Sequence, residues 1–368
     1  SLLLDKGADP DLVSVGNEPI LSWAVRRGQA RLISLLMGAN ADVTAANEKG
    51  ETALHLAAQS GDRSLVLTLI AAGANINSQT SDSQTPLHYA AGAGQAGCAE
   101  ALLEHGADTT MPGGEWSPLH TAARNGHLHA VRVLLDGGAP VDELRGFWGD
   151  RTPLMEAVWY QHPKVAELLI EYGAELTLQT AAGLGDQASV GEFLGRGPDA
   201  GGSYHALSPL AWAAASGQTE MIGFLLERGV TSPEKDTAAL FLAAERGHAA
   251  AARVLLEHGA QVSAIDEATQ ETPLHRAAAS GQAAAVSLLI GAGAGIEVRD
   301  LHGQTPLHHA ADHGHATVVQ LLLEHGADAG ATTHLGDTAL DIARLGGFPQ
   351  VAYVLQTHGL STERITSL

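Results

Sequence analysis

Residues able to do bond-making chemistry are few, and their spacing works against it. Gly92-Ala93-Gly94-Gln95-Ala96-Gly97 has the outline of a dinucleotide loop. Such a loop needs a strand before it, so that its amides meet a pyrophosphate at a helix start. Here Leu87, Ala90 and Ala91 precede it at helical spacing, so the glycines read as a turn. The one cysteine, Cys98, excludes an internal disulfide and any multi-cysteine zinc site. It aligns with Ala130 on a repeated helix, which points to a buried, inert thiol. The 19 histidines invite a metal, and the densest group is His302, His308, His309, His313 and His315. His309 and His313 stand four apart and can share a helix face, the start of a two-ligand site. His308 and His313 have other places to fill, however, and no cysteine completes the set. The carboxylates form no recurring acid–base pair. No Walker A, His-Glu-x-x-His or Gly-x-Ser-x-Gly sequence occurs. We therefore expect no catalytic residue, no cofactor and no metal, and a chain that is not an enzyme.

Binding chemistry is better represented. There are five tryptophans, Trp23, Trp116, Trp148, Trp159 and Trp212, and none occupies a recurring core position. Trp116 and Trp148 come shortly before Ser117-Pro118 and Thr152-Pro153. Phe147 adjoins Trp148, and Trp159-Tyr160 closes a helical stretch. Large aromatic side chains bury much area at small entropic cost, which makes them frequent anchors of protein contacts.

A repeat positions these residues. One leucine recurs as Leu21, Leu54, Leu87, Leu119, Leu154, Leu178, Leu210, Leu240, Leu274, Leu307 and Leu340. Seven residues later stands a glycine in every case but one, where Gln161 takes its place. Each unit reads as helix, tight turn, helix and exposed loop. Thr85-Pro86 and Thr305-Pro306 are helix starts, with a hydroxyl for a free N–H and a proline whose missing N–H is not needed in the first turn. Leu87, Ala90 and Ala91 make a stripe narrow enough for close helix contact. Gly106 suits a left-handed terminator, and Asn40 takes that role in the first complete unit. His105, His258 and His325 lie in last turns, where a donor suits free carbonyls. A helix pair cannot bury its apolar face alone, so the units must stack.

The tetrads Thr85-Pro86-Leu87-His88, Thr272 to His275, Thr305 to His308 and Ser117-Pro118-Leu119-His120, with their Gly-Ala-Asp endings, resemble ankyrin repeats. The resemblance covers nearly the whole chain, with about eleven repeats after an N-terminal half repeat. It implies an all-α solenoid of helix–turn–helix units joined by β-hairpin fingers. It also implies a concave face of fingers and inner helices that grips other proteins, and tetrad histidines (His55, His88, His120, His275, His308) that bridge neighbouring loops. In the family, the position two after the recurring leucine faces that groove; Trp23, Tyr89 and Trp212 hold it here. The expected contact patch is Trp116, Phe147, Trp148, Trp159 and Tyr160, with Tyr89 in the groove and Trp212 at the patch margin. A second, polar and partly cationic patch is expected at Arg276 and His309.

The leucine spacing falls to 24 between Leu154 and Leu178, leaving no room for a finger. The expected organisation is N-terminal repeats over 1–174, an irregular short repeat with a Gly/Pro-rich connector over 175–203, C-terminal repeats with a capping unit over 204–360, and a loose tail over 361–368. Leu144 to Asp150 lengthens one finger. Leu2-Leu3-Leu4 followed by Gly7-Ala8-Asp9 reads as the tail of an earlier repeat, so the chain is expected to be a fragment.

With 20 Lys and Arg against 41 Asp and Glu, the net charge is −21. That argues against nonspecific binding to nucleic acid or anionic lipid, which need positive charge. No apolar run reaches membrane-spanning length. Hydrophobic residues at 45% suffice for a core, but aromatics at 4% mean that Leu, Ala, Val and Ile must build it. Ala/Gly/Arg-rich usage with few lysines points to a high-GC, bacterial genome. The function expected is a non-catalytic scaffold, monomeric, holding a neutral or basic protein or peptide on its concave face. The alternative is the targeting segment of a larger enzyme, transporter or secreted effector. The cytoplasm is only a default location.

Overall fold

The computed structural model describes residues 8–14, 17–145, 151–196, 207–230 and 236–366, with side chains as far as His358. Among the described residues the helical period becomes twenty-two helices in eleven pairs. They fall into two compact units, residues 1–176 and 177–368. The first unit pairs α1 (Ile20–Arg26) with α2 (Ala30–Gly38), α3 (Ala53–Ser60) with α4 (Arg63–Ala71), α5 (Pro86–Gly92) with α6 (Ala96–Glu104), α7 (Pro118–Arg124) with α8 (Leu128–Asp136), and α9 (Pro153–Trp159) with α10 (Pro163–Glu171). The second pairs α11 (Leu178–Leu184) with α12 (Gln187–Gly195), α13 (Pro209–Ala215) with α14 (Thr219–Glu227), α15 (Thr237–Glu245) with α16 (Ala249–Glu257), α17 (Pro273–Ala279) with α18 (Ala283–Gly291), α19 (Pro306–Asp312) with α20 (Ala316–Glu324), and α21 (Ala339–Leu345) with α22 (Pro349–Thr366).

Within each unit the first helices of successive pairs pack on one another, and so do the second helices from α4 to α10 and from α14 to α22. Small side chains permit that approach: Leu87, Ala90, Ala91, Leu119, Ala122 and Ala123 are all fully buried. Burying one leucine contributes about 2 kcal/mol, so a stack of short helices is held by accumulation along its length. The turn between paired helices needs glycine for two reasons. Gly126 has φ +75°, and a Cβ there would meet the His162 ring of the following pair at 2.5 Å. Gln161, the exception, adopts φ +60° as a side-chain-bearing residue. Asn40 takes φ +55°, as its terminating role requires. His105, His258 and His325 each place Nδ1 2.8 Å from a carbonyl of the preceding turn.

Isolated antiparallel bridges close fingers at Val13–Pro19, Ala46–Thr52, Gly113–Trp116, Arg145–Arg151 and Thr332–Thr338. The pair α11–α12 follows Ala174 without a finger. Thr177 and Thr180 cap α11 reciprocally, and α11 packs on α13. The segment set apart as 175–203 thus contributes a helix pair to the second unit. The tail set apart as loose is helical through Thr366, because α22 continues into it. Among the described residues no helix is long and apolar enough to cross a membrane.

Candidate protein-binding face

Five fingers are fixed to the helix pair before them by a tetrad histidine. In α5, the Thr85 backbone N–H donates to His88 Nδ1 at 3.1 Å, and the Thr85 hydroxyl lies 2.8 Å from the same nitrogen. Nδ1 is therefore the acceptor, and Nε2–H donates to the Trp116 carbonyl at 3.1 Å. The same arrangement joins His55 to the carbonyls of Ser78 and Gln84, His120 to that of Arg151, His275 to that of Gln304 and His308 to that of Ala331. Burial drives the pKa of His88, His120 and His275 down to about 4, so these rings are neutral connectors. A second set of stitches runs along the turns. His127 donates to Gly92, His162 to Arg124, His248 to Ala215 and His315 to Ala279, each carbonyl belonging to the preceding pair.

On this scaffold the first unit presents a band of aromatic rings and arginines. Trp116, held in its finger by the Gly113 bridge and by His88, lies with its ring 5.7 Å from that of His120. The Arg124 guanidinium, from the last turn of α7, sits 5.7 Å from the Trp116 ring and 4.7 Å from the Tyr160 ring. Arg151 lies 5.2 Å from the Trp159 ring and donates to Glu156 at 2.9 Å. Glu156 is fully buried. Trp116 and Trp159 are half-buried and Tyr160 is 38% exposed. The structure therefore brings Trp116 and Tyr160 together through Arg124, and places Trp159 beside Arg151. Phe147 and Trp148 lie outside the described residues.

Tyr89 belongs to a neighbouring polar network. Its hydroxyl donates to Glu51 at 2.8 Å, and its ring meets His55 edge-on at 5.1 Å. Burial opposes ionisation of Glu51, but hydrogen bonds from Asn47, Arg26 and Tyr89 outweigh it and hold the carboxyl at about 2. The tyrosine is pushed the other way, by burial first and by its bond to Glu51.

Trp212, expected at the margin of the contact patch, has no exposed surface. It is fully buried, as is every residue from Leu210 to Ala215, because α13 packs between α11 and α15 and keeps no exposed face over that stretch. It is a core residue and not the margin of a surface patch. Arg276 and His309 do lie on adjacent inner helices, but the positive character expected there is neutralised within the chain. Arg276 pairs with Glu271 at 2.5 Å and Asp266 at 3.7 Å, and His309 Nε2 lies 2.9 Å from Asp300. Glu271, Asp300 and His309 offer three ligand atoms within 4.8 Å of one another, a set of the type that suits a divalent cation. Arg276 already occupies the Glu271 side of it. His313 and His315 are engaged too: His313 Nδ1 lies 3.0 Å from the His309 carbonyl, and its ring stacks on His315.

Tetrad, histidine bridge and glycine turn recur in both units, and the family description "Ankyrin repeats (3 copies)" matches residues 1–80, 21–113, 109–180, 178–266, 210–300 and 274–364. The chain belongs to the ankyrin-repeat family. It is similar to the human Cyclin-dependent kinase inhibitor 2A, with 37% identity over 97 residues, 26% of this chain and 62% of that protein. It is also similar to the rat Cyclin-dependent kinase 4 inhibitor B, with 37% identity over 119 residues, 30% of this chain and 82% of that protein. The chain thus spans less than two thirds of the human relative. As an ankyrin array it is a protein-interaction domain. Sequence reasoning missed Arg124, Arg151 and Glu156 on this ankyrin face. The available signal was the column five residues after the recurring leucine, at the inner-helix end, where Arg124 and Trp159 fall in consecutive repeats with Tyr160 next to the latter.

Proposed function

We propose that this ankyrin array is a non-catalytic scaffold that holds a protein or extended peptide along the finger and inner-helix face of its first unit. The observation carrying this reading is the group of partly exposed rings, Trp116, Trp159 and Tyr160, each backed by an arginine and rooted in a finger or inner helix of adjacent repeats. Preformed aromatic surface of this kind binds with little ordering cost. The two relatives are named as inhibitors of cyclin-dependent kinases, so such a kinase is the first purified partner to try. The test is affinity capture by the full chain and by a Trp159→Ala/Tyr160→Ala variant whose circular dichroism and melting are unchanged. Capture should fall at least about tenfold, the effect of losing one good anchor. Equal capture by the folded variant would remove this face from the binding surface.

A further inference from the structure

The half-buried arginines of the chain fall into two kinds. Arg63 pairs with Glu100, Arg145 with Glu143, Arg151 with Glu156 and Arg276 with Glu271, while Arg246 donates to the Ala215 carbonyl. Arg124 is half-buried as well, yet among the described residues its guanidinium meets no carboxylate, carbonyl or hydroxyl. It meets two aromatic rings instead, Tyr160 at 4.7 Å and Trp116 at 5.7 Å. Its backbone is pinned separately, since the Arg124 carbonyl accepts a hydrogen bond from His162 at 2.9 Å.

A guanidinium has two separable surfaces. Its flat faces stack on aromatic rings, while its edge carries N–H donors in a fork that matches a carboxylate. At Arg124 the rings engage the group, and among the described residues the fork meets no acceptor. Holding a cation partly out of water with no counter-charge costs free energy. This chain has 41 acidic residues against 20 basic, so a local carboxylate was easily available, and none of the described ones is placed there.

We propose that Arg124 is an anchor for a carboxylate: an internal Asp or Glu of a partner protein docks on its N–H fork, and apolar residues flanking that acid lie against Trp116 and Tyr160. This rests on the binding-face reading above and adds the chemistry of the occupant. A partner that is neutral or basic overall still suits the acidic chain at long range, provided it presents one acidic side chain at this point. The two rings hold the arginine in place before binding, so little side-chain entropy remains to be lost.

The experiment is a selection of short random peptides, displayed with their C-termini fused to phage, on the immobilised full chain. Fusion removes free C-terminal carboxylates, so only internal acids are scored. Enriched peptides should carry Asp or Glu next to an aromatic or branched apolar residue. A fluorescein-labelled synthetic copy should lose about ten- to a hundredfold in affinity for Arg124→Gln, and the same when its acid is replaced by the amide. The two losses should not add when combined, because they report one contact. Arg124→Lys should fall between, keeping charge but not the fork. Trp116→Ala should weaken acid and amide peptides alike. If peptides bind Arg124→Gln as they bind the parent but fail on Trp116→Ala and Trp159→Ala, the anchor is wrong and the binding face stands. If no peptide is enriched, or binding survives all of these substitutions in folded protein, both proposals fall.

Discussion

At the scale of single residues, the tetrad histidines make stability depend on pH. His88, His120 and His275 titrate near 4 in the folded chain because burial disfavours their charged forms, against about 6.5 when unfolded. Between these values the unfolded chain binds more protons. The contribution is therefore complete above about 6.5 and is lost as the pH falls towards 4, by on the order of 3 kcal/mol per ring. Urea denaturation at a series of pH values should show a steep decline over that window; a flat profile would mean that the rings are not held neutral. The aromatic residues are less legible at this scale. Trp23 and Trp212 hold the same position after a recurring leucine, but one is half-buried and the other wholly enclosed. A local pattern gives the direction of a side chain, not what stands opposite it.

At the scale of elements, the turn between paired helices is the clearest case of a residue chosen by its neighbour. A methyl group on Gly126 meets both a positive φ and the His162 ring at 2.5 Å. Gly126→Ala should cost about 2 kcal/mol or more in chemical denaturation. Combining it with His162→Ala should cost less than the sum of the two single changes, since the clash disappears with the ring. Strict additivity would mean that backbone strain alone sets the cost. Helix starts were readable because Thr-Pro and Ser-Pro are local signals, as were the left-handed stops at Asn40 and Gly106. The role of the tetrad histidine in α3, α5, α17 and α19 was readable only through family resemblance, since its second partner lies 23 to 29 residues away.

At the scale of the whole molecule, the charge of −21 opposes the approach of an acid-bearing peptide to Arg124. Added salt screens that long-range repulsion more than it weakens a contact pair on a half-buried site. Association of the selected acidic peptide should therefore quicken from low to physiological ionic strength, as read by stopped-flow fluorescence. Association that slows steadily with salt would place a net positive field at the site, which the composition does not supply. The repeat, the helix pairs and the family were legible in the sequence, because each rests on signals within one unit or on a fixed period. It also marked Trp116, Trp159 and Tyr160 as candidates. Contacts in the folded stack make Trp212 a core residue, pair Arg276 and His309 with carboxylates of the chain, and set Arg124 between two rings with no acceptor among the described residues. Burial and pairing of that kind are set by contacts between repeats, and a period fixes which residues face their neighbours without fixing what those neighbours offer.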